Sequence, residues 1–86
     1  MKTLYTKQFE KDVRKYPEYR TQVFEVIRRF KDASSLDELS SIKKLQSEEK
    51  DFRVRLGNFR LGFSVVDETI VFKRFLHRKD IYKYFP

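Results

Sequence analysis

The chain has 86 residues, which is enough for one small domain and too few for two. It contains no cysteine, one histidine and no long apolar run, which excludes disulfide scaffolds, thiolate zinc sites and membrane spans and suits a cytoplasmic protein. Lysine and arginine total 20 against 13 acidic residues, and the resulting net charge of +7 favours polyanionic partners.

The N-terminal third predicts a short strand followed by two helices. Residues Lys2–Thr6 read as a strand, and apolar residues then recur at helical spacing from Lys7 to Tyr16. Pro17 ends the first helix and can begin the second, because a proline in the first turn needs no N–H partner. The second helix is expected to continue to about Ala33, which gives a helical hairpin. The side chains expected in its apolar stripe are Phe9, Val13, Tyr16, Tyr19, Val23, Phe24, Val26, Ile27 and Phe30.

The middle of the chain is polar and carries weaker signals. Ser35, followed three residues later by a glutamate, forms a capping box that predicts a short helical turn over Leu36–Leu39. Residues Ser40–Lys50 are predicted to be irregular, with Ile42 and Leu45 as apolar anchors. Nothing in this stretch indicates a domain boundary.

The C-terminal part predicts an antiparallel meander. Three runs rich in β-branched and aromatic residues, Asp51–Leu56, Phe59–Val66 and Thr69–Leu76, are separated by the turns Gly57-Asn58 and Asp67-Glu68. One face of this meander is apolar and can pack on the two helices. The sequence therefore predicts a single two-layer α+β domain that spans the whole chain.

The Gly57-Asn58 turn fixes which residues share a face. A two-residue loop places Arg55 opposite Arg60, with Arg53 and Gly62 on the same face. Like charges in such a pair are destabilising, and a local violation of this kind is expected at a functional site. We infer that an anion, the phosphate backbone of RNA, lies among these arginines. The apolar face comprises Phe52, Val54, Leu56, Phe59, Leu61, Phe63 and Val65.

The third strand of the meander alternates poorly. A two-residue turn before it directs Ile70, Phe72 and Leu76 toward the helices, but it directs Arg74 there as well. A β-bulge would remove this conflict.

The final segment, HRKDIYKYFP, allows two readings. If it is helical, Arg78 and Tyr82 are four residues apart and share a face. If it is extended, Tyr82 and Tyr84 share a face instead.

This order of strand, helical hairpin and basic meander resembles the RelE/ParE superfamily of toxins from bacterial and archaeal toxin–antitoxin pairs. The resemblance rests on FRVRLGNFRLGF, with its Arg-x-Arg-x-Gly-x-x-Arg core, followed along the chain by HRKDIY. It favours the RelE branch, whose members cut messenger RNA, usually in the ribosomal A site. It implies a toxin with endoribonuclease activity that needs no metal or cofactor.

The resemblance also implies roles for individual residues. Those expected to clamp the scissile phosphate and to move protons are Arg53, Arg55, Arg60, Arg78 and Tyr82. Tyr82 is the candidate base for the 2′-OH, since neighbouring guanidinium groups favour its phenolate form. Arg78 and His77 are alternative partners for the leaving oxygen, because an arginine stays charged whereas a histidine titrates near neutral pH. Residues expected to contact RNA are Lys73, His77, Lys79 and Tyr84.

The implied partners are a cognate antitoxin in a hetero-oligomer and messenger RNA in the A site, with 16S ribosomal RNA contacts. Three alternatives remain open at this stage. Glu48 or Glu49 could act with a histidine in the catalytic role that some relatives give to a carboxylate. The chain could instead be a ParE-like poison of DNA gyrase, or a basic RNA- or ribosome-binding module without catalysis.

Overall fold

The chain folds into strands and helices largely in the predicted order. The computed structural model describes residues 1–36 and 51–85, together with the backbone of residues 42–44. Within these ranges no helix is both long enough and apolar enough to cross a lipid bilayer. The elements are β1 (Lys2–Tyr5), α1 (Lys7–Arg14), a 3-10 turn (Pro17–Tyr19), α2 (Arg20–Asp32), β2 (Ile42–Lys44), β3 (Asp51–Leu56), β4 (Phe59–Val66), β5 (Thr69–His77) and α3 (Arg78–Tyr84).

The strands form one mixed sheet in the order β1-β5-β4-β3-β2. Strands β3, β4 and β5 make the predicted antiparallel meander, and β1 adds to its edge in parallel with β5. The predicted register of the first hairpin is confirmed, because Arg55 pairs with Arg60 and Arg53 with Gly62. Gly57 has a φ of 57°, the left-handed conformation that a two-residue hairpin turn requires.

The helical hairpin covers the apolar face of the meander and completes the predicted two-layer α+β fold. Phe9 of α1, with Val23 and Phe30 of α2, packs in one buried cluster with the apolar side chains of the meander. Phe30 meets Phe63 of β4 edge to face, with ring centroids 5.0 Å apart. Phe24 was expected in this stripe, but its side chain is 52% exposed, because it points away from the sheet one position beyond Val23.

A β-bulge resolves the conflict in the third strand of the meander. The pairing of β4 with β5 shifts between Gly62 and Phe63, so that Lys73 is the extra residue of the bulge. After this extra residue Phe75 is fully buried and Leu76 pairs with Arg60. Of the two arrangements that the sequence left open, the strand adopts the bulged one, and Leu76 faces away from the helices because the bulge shifts the alternation by one residue.

Side chains bond the second half of β5 along the edge that β1 leaves uncovered, while β4 pairs with the other edge. β1 pairs only with the stretch from Thr69 to Phe72. Beyond it, the Thr6 hydroxyl donates to the carbonyl oxygen of Lys73 (3.1 Å), and the N–H of Phe75 donates to Oδ2 of Asp12 (3.0 Å). Without these bonds, the Lys73 carbonyl and the Phe75 N–H would lack hydrogen bonds at the uncovered edge of the sheet. An unsatisfied backbone group destabilises the fold where water is excluded.

Asp12 of α1 has a second partner on the same strand. Its carboxylate accepts hydrogen bonds from Nε of Arg74 (2.8 Å) and from a terminal guanidinium nitrogen of Arg74 (3.2 Å). Gln8, one turn earlier in α1, donates to the same carboxylate at 3.2 Å. Asp12 is fully buried and Arg74 is largely so, so this ion pair joins the helical layer to the sheet.

Two predictions about the middle of the chain differ from the structure or fall outside it. Residues Ser40–Lys50 were expected to be irregular, but β2 lies within them and pairs antiparallel with β3. The signal was weak because three residues are too few to show a period of two. The capping-box glutamate and the rest of the turn predicted after Leu36 lie outside the described residues.

Loss of the buried carboxylate should destabilise the fold strongly. Asp12→Ala leaves the Arg74 charge and the Phe75 N–H without their partner, so we expect a loss of about 3–5 kcal/mol in the free energy of unfolding. Equilibrium urea unfolding followed by circular dichroism measures this loss. Glu10→Ala on the same helix removes the exposed Glu10–Arg14 pair and should cost less than about 1 kcal/mol. Equal losses in both variants would contradict this account of the buried pair.

Candidate functional site

The turn of the first hairpin anchors two of the predicted arginines. A terminal nitrogen of the Arg60 guanidinium donates to the carbonyl oxygens of Gly57 (2.9 Å) and Phe59 (2.8 Å). The backbone N–H of Arg78 donates to the carbonyl oxygen of Asn58 at 2.8 Å. The side chain of Arg60 and the first residue of α3 are therefore fixed to the same three-residue stretch.

The C-terminal segment is helical, which decides between the two readings of the sequence. His77 caps α3, with its Nδ1 accepting the backbone N–H of Lys79 at 3.1 Å. Because that nitrogen accepts, the neutral ring carries its proton on Nε2. The helix places Arg78 and Tyr82 on one face, one turn apart.

Helix α3 lies on the sheet face opposite α1 and α2, over a row of three residues that runs across β3, β4 and β5. Arg53 pairs with Gly62, and Gly62 pairs with Arg74. The Arg53 guanidinium carbon lies 4.6 Å from the centre of the Tyr82 ring, and that of Arg74 lies 5.3 Å from the centre of the Tyr84 ring. Between them, the Phe85 ring covers Gly62 and is itself buried.

These contacts bring together the five residues Arg53, Arg55, Arg60, Arg78 and Tyr82, which we call the arginine site. Burial, together with the positive charges of Arg55, Arg78 and Arg53, lowers the pKa of Arg60 from its ordinary value, while Tyr82 acts in the opposite direction. The arginine remains charged at neutral pH, because the ordinary pKa of this group is so high. Four cations thus share one patch of surface, and an anion bound there would reduce their mutual repulsion.

The other predicted contacts to RNA lie around this site rather than within it. Lys79 is exposed in the first turn of α3, and Lys73 is the extra residue of the β5 bulge. Tyr84 is 60% exposed and stacks on Arg74. His77 packs edge-on against Phe59 at a centroid distance of 5.5 Å in addition to capping α3. Glu48 and Glu49, the alternative carboxylates, lie outside the described residues.

Sequence reasoning missed what covers Gly62. A glycine beside Arg53 could leave room for a nucleotide or mark a bulge, and a bulge is indeed adjacent. The open space, however, is filled by Phe85, whose ring atoms would lie 2.5–2.8 Å from a Cβ at position 62. The signal available in the sequence was a glycine in a strand together with a terminal run of aromatic residues, but it does not say that the two meet.

A separate groove of about 550 Å³ lies on the helical side of the molecule. Its walls are mostly apolar and include Tyr5, Phe9, Val13 and Phe24. The arginine site lies elsewhere, and its Arg55, Arg78 and Tyr82 are exposed. In the part of the chain that the structure describes, no three carboxylate or imidazole side chains are grouped so that they could hold a metal ion.

The glycine in the row can be tested directly. Gly62→Ala should expel the Phe85 ring, because the added methyl group would overlap it, and the lost burial should cost about 1.5–3 kcal/mol of unfolding free energy. In a Phe85→Ala background the same substitution should cost much less. Urea unfolding of the four proteins in this double-mutant cycle gives the coupling. Additive losses would show that the ring and the glycine do not constrain each other.

Comparisons with known proteins agree with this fold and with the sequence. Residues 4–82 match the family of ParE toxins of the type II toxin–antitoxin system parDE. Toxin RelE3 of Methanocaldococcus jannaschii is 41% identical over 88 residues, and the alignment covers 100% of both chains. The crystal structure of the RelB–RelE antitoxin–toxin complex from Methanococcus jannaschii contains a chain that is 38% identical. It superposes with a TM-score of 0.81, over 96% of this chain and 99% of that one.

More distant structures share the architecture. The RelBE2 toxin–antitoxin complex from Mycobacterium tuberculosis matches at 27% identity with a TM-score of 0.59, covering 90% of this chain and 96% of that chain. YafQ of E. coli matches at 17% identity with a TM-score of 0.69, over 93% of this chain and 96% of its own, and shows the fold alone. The family match and the full-length relative together establish that the chain belongs to the RelE/ParE superfamily and is a RelE-like toxin of a type II toxin–antitoxin system.

Proposed function

We propose that the chain is an endoribonuclease that cuts messenger RNA by attack of a ribose 2′-OH on the adjacent phosphate. The observation that carries this proposal is the grouping of Arg53, Arg55 and Arg78 around Arg60, with Tyr82 at the same site. Four guanidinium groups on an open surface form a binding site for a phosphodiester, to which they can present several N–H donors at once.

The reaction needs one base, one anion stabiliser and one partner for the leaving oxygen. The 2′-oxygen loses its proton to a base and attacks phosphorus, and the bond from phosphorus to the 5′-oxygen breaks. The products are a 2′,3′-cyclic phosphate and a free 5′-OH, formed once the departing oxygen takes up a proton. Each of these tasks can be given to a residue of the arginine site.

Tyr82 is the proposed base. Tyr82 is 67% exposed, and its ring lies 4.6 Å from the guanidinium carbon of Arg53, so its hydroxyl can meet a substrate while the ring stays on Arg53. Arg60 and a Tyr82 phenolate attract each other, since Tyr82 raises the pKa of Arg60 against the effect of the other arginines. As a phenolate, Tyr82 would take the proton of the 2′-OH and become a neutral phenol.

Arg60 and its neighbours are the proposed stabilisers of the phosphorane. One guanidinium nitrogen of Arg60 is held by the turn carbonyls, which fixes the direction of its remaining N–H groups before substrate arrives. Donors held in place in this way stabilise developing negative charge without reorganisation. Burial and like charges disfavour the cation of Arg60, and the arriving phosphate would offset this cost.

Arg78 is the proposed partner of the leaving 5′-oxygen. It begins α3 beside the hairpin turn, and its charge acts on Arg60. His77 is the alternative, but its Nδ1 already caps the helix. Arg78 would neutralise the leaving oxygen mainly by charge, with the proton supplied by water, because a guanidinium group does not give up its proton at this pH.

The proposed substrate is messenger RNA in the ribosomal A site. The net charge of +7 favours association with ribosomal RNA, and 16S rRNA contacts through Lys73 and Lys79 would position the toxin. Ribosomes that carry such messages are cytoplasmic, and so would be the activity.

The proposed protein partner is a cognate antitoxin that forms a hetero-oligomer with this chain. The support is the relative from Methanococcus jannaschii, which was solved as a RelB–RelE antitoxin–toxin complex. The basic surface of the chain favours an acidic partner, because opposite charges attract. Carboxylates of such a partner that covered the arginine site would also block the binding of phosphate.

The family match to ParE toxins favours one second candidate, a poison of DNA gyrase that binds without cutting RNA. Such a protein has no need of the whole arginine site. Intact RNA accompanied by double-strand DNA breaks after expression would identify this activity. Intact RNA and DNA with stalled ribosomes would instead indicate a binding module without catalysis.

The nuclease proposal predicts which substitutions abolish cleavage. Arg60→Ala removes a fixed donor, and Tyr82→Phe removes the hydroxyl while keeping the ring on Arg53, so each should slow cleavage by about 100-fold or more. Primer extension on a translated message measures the loss. Arg28→Ala, on the exposed side of α2, is the control and should cleave like wild type. Full activity of Tyr82→Phe would exclude Tyr82 as the base.

A matched pair of variants separates Arg78 from His77. His77→Asn keeps an acceptor that caps helices well, so cleavage should stay within about threefold of wild type. Arg78→Ala should lower the cleavage rate by about 100-fold, because charge at the leaving oxygen is lost. Single-turnover rates on programmed ribosomes measure both effects. The reverse order of the two losses would assign the role to His77.

A further inference from the structure

Helix α3 is held to the sheet on both sides of Phe85. On one side Tyr82 stacks on Arg53, and on the other side Tyr84 stacks on Arg74. We propose that Arg74 and Tyr84 are positioning residues, whose contact fixes α3 and thereby holds Tyr82 in place on Arg53. This inference rests on the proposed nuclease function, because it assigns to the contact an effect on the rate of RNA cleavage.

Arg74 is a rigid support for an aromatic ring. Two of its nitrogens donate to the Asp12 carboxylate at 2.8 Å and 3.2 Å, and only 20% of its side chain is exposed. The Asp12 carboxylate is itself fixed by the N–H of Phe75 at 3.0 Å. The guanidinium plane therefore has little freedom, and its unused face is presented to Tyr84.

Helix α3 depends on such contacts for its orientation. Its seven residues are too few to be stable as an isolated helix, so packing must fix it. The bond from Arg78 to Asn58 holds its beginning, and Ile81 and Phe85 bury its inner side. Rotation about that buried line would move Tyr82, which is itself two-thirds exposed. The Arg74–Tyr84 contact opposes this rotation from the far side.

The position of Arg74 supports this role over a purely structural one. The ion pair with Asp12 accounts for two of its nitrogens, and its stacking on an exposed ring does nothing for the core. β1 stops pairing with β5 at Phe72, so Arg74 lies where the edge of the sheet is open between α1 and α3. Asp12, Arg74 and Tyr84 therefore link the helical layer on one face to α3 on the other.

Base stacking on RNA is the competing role for Tyr84, since its exposed ring could receive a nucleotide. The two roles differ in kinetics. A positioning contact changes the maximal rate of cleavage at saturating toxin, because it acts on the geometry of Tyr82. A base-stacking contact changes the concentration of toxin needed for half-saturation.

The first test is single-turnover cleavage of a message on programmed ribosomes. Tyr84→Leu should lower the maximal rate by about tenfold and leave the half-saturating concentration unchanged. Tyr84→Phe keeps the ring and should cleave like wild type. Phe24→Leu is the matched control, since Arg20 lies 5.4 Å from that ring in an equally exposed contact on α2. In an Arg74→Lys background, Tyr84→Leu should have little further effect, because the shared contact is already weakened.

The second test is amide hydrogen exchange of the protein without RNA. The N–H of Phe85 donates to the carbonyl oxygen of Ile81 at 2.9 Å and reports on the end of α3. Tyr84→Leu should speed exchange in α3 about tenfold, while α2 stays unchanged. Leucine is the better helix former, so lower helix propensity cannot explain such a loss.

Two results would overturn the inference. An unchanged maximal rate with a raised half-saturating concentration would make Tyr84 an RNA contact. Unchanged exchange in α3 would show that the Arg74 contact does not hold the helix. A wild-type protein that cuts no RNA in this assay would overturn the proposed nuclease function instead, and the exchange data would still decide whether Arg74 and Tyr84 fix α3.

Discussion

Helix α3 can lie close to the sheet only because position 62 carries no side chain. A Cβ there would come within 2.5 Å of the Phe85 ring, so any other residue would push the C-terminal segment outward. With glycine in place on β4, the Phe85 ring fills the gap between Arg53 of β3 and Arg74 of β5. Tyr82 and Tyr84 then fall on Arg53 and Arg74, respectively. The position of Tyr82 in the arginine site thus depends on the absence of a side chain at Gly62.

The β-bulge at Lys73 of β5 also helps to place α3 on the sheet. It turns Phe75 into the core, and it lets Arg74 reach Asp12 beyond the point where β1 stops covering β5. A buried ion pair is costly to desolvate, and this one is offset by additional hydrogen bonds from Gln8 and the Phe75 N–H. The open part of the sheet edge is therefore closed by side chains of α1, which leaves room for α3 on the opposite face.

Local patterns were sufficient to predict the hairpin and its arginine face, because side-chain alternation and a glycine turn fix a register without further information. They were also sufficient for the two helices and their core. They were insufficient where the structure of a segment depends on a partner that is distant in sequence. Leu76 and Phe75 exchange faces at a bulge, β2 needs β3 to exist, and Gly62 and Phe85 meet from separate elements. The choice of helix for the last segment likewise depends on the hairpin turn that receives Arg78.

The arginine site costs the free protein some stability, and this cost is consistent with the proposed reaction. Burial lowers the pKa of Arg60, and the charge of Arg55, which faces it across the hairpin, lowers it further. The turn carbonyls offset part of this cost by accepting from the Arg60 guanidinium, but they carry no net charge. A phosphodiester brings one negative charge, and a phosphorane brings more. The same repulsion that weakens the empty site would therefore be relieved most in the transition state, and this differential binding is what accelerates a reaction.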